Sequence, residues 1–384
     1  MNKKILILII AVGIILLTLF GSWLFWFIKP AKPLNIYILD KTVPTTERTE
    51  HKSLVWLLNH NKFTLPDGSL YNVNKDYYGF FPLDTKSQEF DFKSLRIHEV
   101  KDAALDYDAV YYADTYGVYY NEWYKNQASD ADISQKVYGG LNQNDYLLLK
   151  EMKELNKLII TEFNLYNAPT SGLIREKVED MFGINWSGWT GKYFPSLDTS
   201  STNYFPKWIV KLYMEQNNHQ WPFKNSGIVL VHKFGTIAVL EHKTHLTEEI
   251  PFIVSNPETV EKYGVPEKVY YSNWFDITYT GERNNVLASF NLSVNAKGDS
   301  LLRSYNIRPV FPAVIEHDGD YRFYYFGGNF AANAINDKTA YFEGYQSLMA
   351  TLTRENYKST KKFFRKFYLP LTSKIFEDYY FKNQ

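Results

Sequence analysis

Two acids stand where short apolar runs stop. Asp114 closes Ala109-Val110-Tyr111-Tyr112-Ala113, and Glu162 closes Leu158-Ile159-Ile160-Thr161. A pair of carboxyl groups about 5 to 10 Å apart, one of them held protonated, is what glycoside cleavage requires. Asp40 ends a third run, Leu34–Leu39, in the same way, and Glu122 follows Asp114 closely. Asn164 lies just past Glu162, and Asn329 just past Tyr321–Phe326. The structural alternative is that these acids cap helices and hold loop amides.

Other chemistries lack their residues. The chain has no cysteine, so disulfides, thiolate metal sites, a cysteine nucleophile and a lipid-anchored cysteine are all excluded. Eight histidines include His242 and His245, but no acid follows at a ligand interval, so no metal is expected. There is no G-x-S-x-G elbow and no glycine-rich loop after the first strand, so neither serine hydrolysis nor a dinucleotide cofactor is signalled. The 42 basic and 42 acidic residues balance, which argues against a nucleic-acid partner.

Rings are the second resource. The chain holds 31 Tyr, 27 Phe and 9 Trp. An aromatic core in the product of an A+T-rich genome explains this, and so does a sugar-binding groove, because ring faces pack on the C–H faces of sugars. Tyr116, Tyr119, Tyr120 and Trp123 crowd behind Asp114. Trp186, Trp189 and Tyr193 lie among small residues in a stretch read as an irregular loop, either a packing plug or a ligand platform.

The elements that position these groups follow from periodicity. Apolar runs of strand length, each stopped by polar residues, predict an α/β fold with a mostly parallel open sheet flanked by helices. Ligands of such sheets sit beyond the carboxyl ends of the strands. The central strand is expected at Asp108–Ala113, with a further strand at Leu95–Glu99. Helices are expected at Thr46–Asn59, Asn144–Leu155, Gly172–Phe182 and Pro206–Glu215. Thr49 is the candidate cap of the first, with His51 solvated in its opening turn; Ser171 and Gly183 bound the third. A hairpin is expected over Gly227–Leu240, and strand-like alternation continues to Ile315, so residues 227–315 read as a β-rich C-terminal insertion. Lys125–Gln143 reads as a mobile loop over the rim. The tail Tyr341–Phe367 reads as helical, with Lys358, Lys361, Lys362, Arg365 and Lys366 basic at its end.

Ile5–Ile28 is an unbroken uncharged run, long enough as a helix to cross a bilayer core. It predicts a single-pass membrane protein, with a cleaved signal peptide as the competing reading. Residues 1–33 then form an anchor with the stiff linker Lys29–Pro33, and residues 34–384 form one domain expected outside the cytoplasm.

The strand Tyr107–Asp114, then Lys157–Glu162, then Asp320–Gly327 resembles the glutamine amidotransferase-like superfamily, including trehalose-utilisation-type domains and β-galactosidase trimerisation domains. The resemblance runs loosely over residues 34–329. It implies a flavodoxin-type sheet and, because amidotransfer needs a cysteine, a member without that activity. Non-catalytic members tied to sugar metabolism imply glycan recognition. The first functional expectation is therefore an anchored, non-catalytic module that binds a glycan or envelope polymer through Asp40, Tyr116, Glu122, Asn164, Trp186, Trp189, Tyr193 and Asn329. The alternatives are a glycan-active hydrolase using Asp114 and Glu162, and a structural subunit of an envelope assembly with protein partners.

Overall fold

A computed structural model describes residues 3–125, 134–200, 205–352 and 359–383. Residues 126–133 of the expected rim loop, and Lys358 of the basic tail, lie outside these. The strands of the two larger sheets, in chain order, are β1 (Ile36–Asp40), β2 (Tyr78–Asp84), β3 (Glu89–Lys93), β4 (Ala109–Asp114), β5 (Leu158–Glu162), β6 (Ile184–Phe194), β7 (Gly227–His232) and β8 (Ile237–Glu241). They continue with β9 (Phe252–Ser255), β10 (Lys268–Tyr270), β11 (Phe275–Thr280), β12 (Asn285–Asn291), β13 (Val310–Asp318) and β14 (Arg322–Phe326).

Ten of them form one sheet in the order β10-β9-β12-β13-β14-β5-β4-β1-β2-β3. The run β14-β5-β4-β1-β2 is parallel, whereas the pairings outside it are antiparallel. The sheet is therefore mixed, which corrects the expectation of a mostly parallel one. The cause lies in the β-rich region: β9, β10, β12 and β13 do not stand apart as an insertion but extend the main sheet through hairpin-type pairing. The remaining strands make a second sheet, β8-β7-β6-β11.

Alternation along the parallel strands splits the core in two. Ile36, Ile38, Tyr111 and Ile160 face α2 (Thr49–His60) and the C-terminal helix, while Tyr37, Leu39, Tyr112 and Ile159 face α3 (Val100–Asp106), α4 (Gln143–Glu154) and α5 (Gly172–Phe182). The ends of α5 match the sequence reading: Ser171 Oγ accepts from the Ile174 amide, and Gly183 stops the helix at φ 66°. The stretch Leu95–Glu99 is not a strand. Ile97–Glu99 is a 3₁₀ turn leading into α3, and Ile97 is exposed, so the short apolar pattern there had no face to bury.

The N-terminal helix α1 (Lys3–Ile28) is long and apolar enough to cross a membrane, and none of its most apolar stretch is buried in the protein. Its last turns dock on the domain. Trp26 is buried and its indole donates to Asn59 O (3.1 Å), Ser22 Oγ donates to Glu343 O (2.6 Å), and Lys62 Nζ donates to Phe27 O and Lys29 O at the helix end. The expected linker is equally bound: Lys32–Pro33 pairs with Phe63–Thr64, and Lys32 Nζ lies 2.9 Å from Glu377.

Candidate functional site

The carboxyl ends of the parallel strands bring the expected acids together. Asp40 and Asp114 are direct register partners across a β-bulge between β1 and β4, and the Lys41 amide donates to Asp114 O (2.8 Å). Thr161 pairs with Tyr112, so Glu162 lies one step beyond that pair, and Glu162 itself partners Phe326 of β14. Strand alternation then sends the side chains of consecutive residues apart. Asp40 turns toward α2, while Lys41 turns to the other face and pairs with Asp145 of α4 (2.5 Å).

Asp40 is fully buried. Its Oδ2 lies 2.5 Å from His51 Nδ1, and its Oδ1 accepts from the Thr42 amide (2.9 Å). Burial raises its pKa; His51 and Thr42 oppose the rise. The backbone of β2 closes over this strand end. A Cβ on Gly79 would stand 1.7 Å from Asp40 O, so only glycine permits the approach. Asp114 Oδ1 accepts from Thr42 Oγ1 (2.7 Å) and the Tyr116 amide (2.7 Å), and both its oxygens face Asn164 Nδ2 at 3.1 Å. Asn164 holds a left-handed φ of 71°, which asparagine tolerates better than most residues. Burial, then the charges of Glu50 and Asp40, push the Asp114 carboxyl well above its ordinary range.

Two acids that the strand-end pattern did not flag complete the cluster. Glu50, half-buried in the first turn of α2, is pushed to about 7 by burial and by the charge of Asp40. Its Oε2 accepts from Asn329 Nδ2 (2.6 Å). Asp276, on β11 of the second sheet, is fully buried and also pushed to about 7 by burial. It accepts from Thr190 Oγ1 (2.7 Å) and the Asn164 amide (3.1 Å). Asn167 links Thr190 Oγ1 to Asn164 Oδ1. Thr49, the expected cap, is instead the first residue of α2, and Arg48 holds the cap position with no side-chain cap hydrogen bond; nothing local marked Asp276, because its role arises from contact between sheets.

The rim is mixed. Tyr116 is exposed and its ring meets Tyr119 at 4.8 Å, while Glu122 Oε2 accepts from the Tyr119 amide (3.2 Å). On the opposite flank the half-buried Trp274 receives the Asn329 amide on its carbonyl (3.1 Å), and Lys192 Nζ lies 5.2 Å from its ring. Burial lowers the Lys192 pKa, and Glu50 counteracts this. The Asn329 Oδ1 atom is buried with no hydrogen-bond partner among the described residues.

Glu162 is close in register but differently employed. Its Oε2 accepts from the Phe330 (2.8 Å) and Ala331 (3.0 Å) amides, its Oε1 from Tyr111 Oη, and it is buried. Trp186, Trp189 and Tyr193 are not brought to the cluster. Their stretch is β6, a regular strand with one bulge, and all three rings are buried. Trp186 Nε1 donates to Trp189 O (3.0 Å), Trp189 packs on His232 and Tyr305, and Tyr193 Oη donates to Glu249 (2.7 Å). The glycines and small residues there admit close neighbours: a Cβ on Gly191 would meet Phe275 at 2.4 Å. His51, expected in solvent, is wholly buried. Among the described residues no group of three or more histidines and acids is arranged to hold a metal ion.

The result is a mixed-sheet α/β protein with a largely buried acidic cluster at the ends of its parallel strands. No protein-family model matches the chain, and no curated protein matches it. Its structural neighbours are ThuA-like proteins at low identity. One from Bacteroides uniformis is 10% identical at a TM-score of 0.35, over 78% of this chain and 84% of that chain. One from Parabacteroides merdae is 11% identical at a TM-score of 0.37, over 85% and 93%. Neither likeness carries an inference about ligand or chemistry.

Proposed function

We propose that this chain is a cysteine-free member of the amidotransferase-like superfamily, held by α1 as a single-pass membrane protein, whose surface over the acidic cluster binds a glycan of the cell envelope outside the cytoplasm. The observation that supports this most is the clustering of Asp40, Glu50 and Asp114 with the side-chain amides of Asn164 and Asn329, to which the backbones of Tyr116 and Trp274 are hydrogen-bonded. Carboxylates and side-chain amides suit the paired hydroxyls of a sugar, and an exposed ring suits its C–H face. The unpartnered Asn329 Oδ1 is an acceptor that a ligand hydroxyl would satisfy. The experiment is titration of the full chain in detergent with soluble envelope polysaccharide fragments. Binding weakened tenfold or more by Tyr116→Ala supports the reading. Absence of binding across the fragments, or indifference to that substitution, overturns it.

One observation favours a second reading. Glu50 keeps its proton to about 7 beside the multiply hydrogen-bonded Asp114, which is the division of labour a hydrolase needs between proton donor and carboxylate. In this reading Glu50, rather than Glu162, is the acid. Glycan cleavage that survives intact in Glu50→Gln removes it.

A further inference from the structure

Lys192 comes to the acidic cluster from the second sheet, along a row of cross-strand neighbours. Gly191 of β6 is the register partner of Phe275 at the start of β11, and Phe275 in turn bridges Gly328, just past β14, in the antiparallel sense. The Asp276 amide donates to Gly327 O (2.8 Å) and the Asn329 amide to Trp274 O (3.1 Å), so the segment after β14 pairs with the start of β11. One step beyond these pairs, Lys192, Trp274 and Asn329 stand side by side on three adjacent segments. Neighbouring strands lie about 4.8 Å apart, so the row spans roughly 10 Å of backbone, the length of a disaccharide. Side-chain contacts follow the same row. Lys192 Nζ lies 5.2 Å from the centre of the Trp274 ring, and Asn329 Nδ2 donates to Glu50 Oε2 (2.6 Å).

The Lys192 ammonium has two rings beside it, Trp274 and Phe194 (5.6 Å), and no ion pair or hydrogen bond among the described residues. Glu50 does not supply one, because its two oxygens accept from Asn329 Nδ2 and from Thr49 Oγ1 (3.3 Å). Burial lowers the Lys192 pKa, so its charge costs free energy that an anion in contact would offset. The acids behind it do not oppose such an anion with a full set of charges. Burial, then the charge of Asp40, keeps a proton on Glu50 up to about 7, and burial first of all pushes Asp114 well above its ordinary range. At the other end of the row Asn329 is 8% exposed, and with its Nδ2 turned to Glu50 its Oδ1 has no partner. Between the two stands Trp274, half-buried, with part of its surface open to solvent.

We propose that the glycan met at this surface is acidic: Lys192 receives the anionic substituent of a sugar, a carboxylate or a phosphate, while the sugar ring lies on Trp274 and a hydroxyl donates to Asn329 Oδ1. This rests on the glycan reading above and names the class of glycan. The ammonium offers three donors to anionic oxygens. The indole takes the C–H side of the ring, and the hydroxyl satisfies an acceptor the fold leaves unfilled. Cation and acceptor stand at opposite ends of the row, so the acid group also fixes which way the glycan lies across it.

The test is calorimetric titration of the full chain in an uncharged detergent with three probes: oligogalacturonate, the same oligosaccharide after reduction of its carboxyl groups to neutral alcohols, and phosphomannan fragments. At least tenfold tighter binding of either acidic probe than of the reduced one, lost in Lys192→Gln and kept in Lys192→Arg, supports the proposal. Which acidic probe binds tighter tells carboxylate from phosphate. Replacing Lys192 leaves both Glu50 oxygens with their partners, so Lys192→Gln strands no acid; thermal unfolding checks that the variant folds, and the preference of the parent reads the proposal without any substitution. Equal binding of acidic and neutral probes, or a preference for the acidic ones that Lys192→Gln retains, overturns it. Equal binding that Tyr116→Ala weakens removes the acidic class and leaves glycan recognition standing, whereas no binding of any probe removes both.

Discussion

His51 Nδ1 lies 2.5 Å from Asp40 Oδ2, and His51 Nε2 lies 2.9 Å from the Val73 carbonyl oxygen, with both side chains fully buried. A carbonyl only accepts, so Nε2 carries a hydrogen, and the Asp40–His51 contact holds a further proton between its two heavy atoms. The pair ties the end of β1 to the first turn of α2, the turn that also carries Glu50. Position 51 therefore fixes where the only half-buried acid of the inner cluster stands.

Removing the ring tests this. His51→Ala leaves the Asp40 side chain with the Thr42 amide alone, buried beside Asp114. We expect a loss of about 3–5 kcal/mol in unfolding free energy, the usual cost of stranding one member of a buried pair, and Asp40→Asn to cost less because no charge is stranded. Urea unfolding of both variants decides it. Equal losses would show that the pair acts through packing and not through charge.

The titration of Glu50 gives stability a pH dependence with a definite sign. Its carboxyl is raised from 4.5 to about 7 in the folded chain, so folding takes up a proton between those values. The stabilising contribution is complete below about pH 4.5, declines as pH rises, and is gone above about 7. Glu50→Gln lacks that decline. The variant is expected to match the parent at pH 4 and to exceed it by roughly 2–3 kcal/mol at pH 8. Thermal unfolding at the two pH values measures the crossing, and a variant less stable than the parent at pH 8 contradicts the assignment.

The sequence carried the parallel centre of the fold because its strands are short apolar runs with abrupt polar ends; Asp40, Asp114, Asn164 and Asn329 were legible for the same reason. What it did not carry depends on contacts between distant segments. Glu50 and His51 look like ordinary first-turn helix residues, and only the position of α2 over β1 buries one and half-buries the other. Asp276 sits in an alternating strand whose partner sheet no local pattern names. The Trp186–Tyr193 stretch misled because its glycines and serine resemble a loop, yet in β6 they make room for Phe275, Leu230 and His232 against the backbone. Mixed pairing in the main sheet was hidden because strand direction is a property of connections and not of composition.

Glu162 separates a positioning carboxyl from a reactive one. Burial pushes it well above its ordinary range, so the neutral acid is the form the fold favours. In that form one oxygen accepts the Phe330 and Ala331 amides, and the other shares a proton with Tyr111, which in turn meets Tyr368 (2.9 Å). A glutamine keeps the oxygen facing the two amides, and its NH₂ donates to Tyr111 Oη, whose own hydrogen then turns to Tyr368. Glu162→Gln is therefore expected to remain within about 1 kcal/mol of the parent, while Glu162→Ala loses about 2–4 kcal/mol by stranding buried donors. Glycan binding should persist in the glutamine variant. Chemical denaturation of the pair supplies the comparison, and a glutamine variant as unstable as the alanine one refutes the neutral form.

The rings divide into those that hold the fold and those free to meet a ligand, and two substitutions separate the classes. Trp189 is 5% exposed and packed between His232 and Tyr305, so Trp189→Ala is expected to cost about 3–5 kcal/mol through cavity formation. Tyr116 is 37% exposed and rests on Tyr119 alone among the aromatic contacts of the rim, so Tyr116→Ala is expected to change stability by less than about 1 kcal/mol. Binding inverts the order. In glycan titrations under native conditions Tyr116→Ala should weaken association tenfold or more, whereas Trp189→Ala, measured below its own unfolding midpoint, should bind as the parent does. If Trp189→Ala abolishes binding while still folded and Tyr116→Ala does not, the ligand meets the second sheet, and the acidic cluster at the ends of β1 and β4 is not its site.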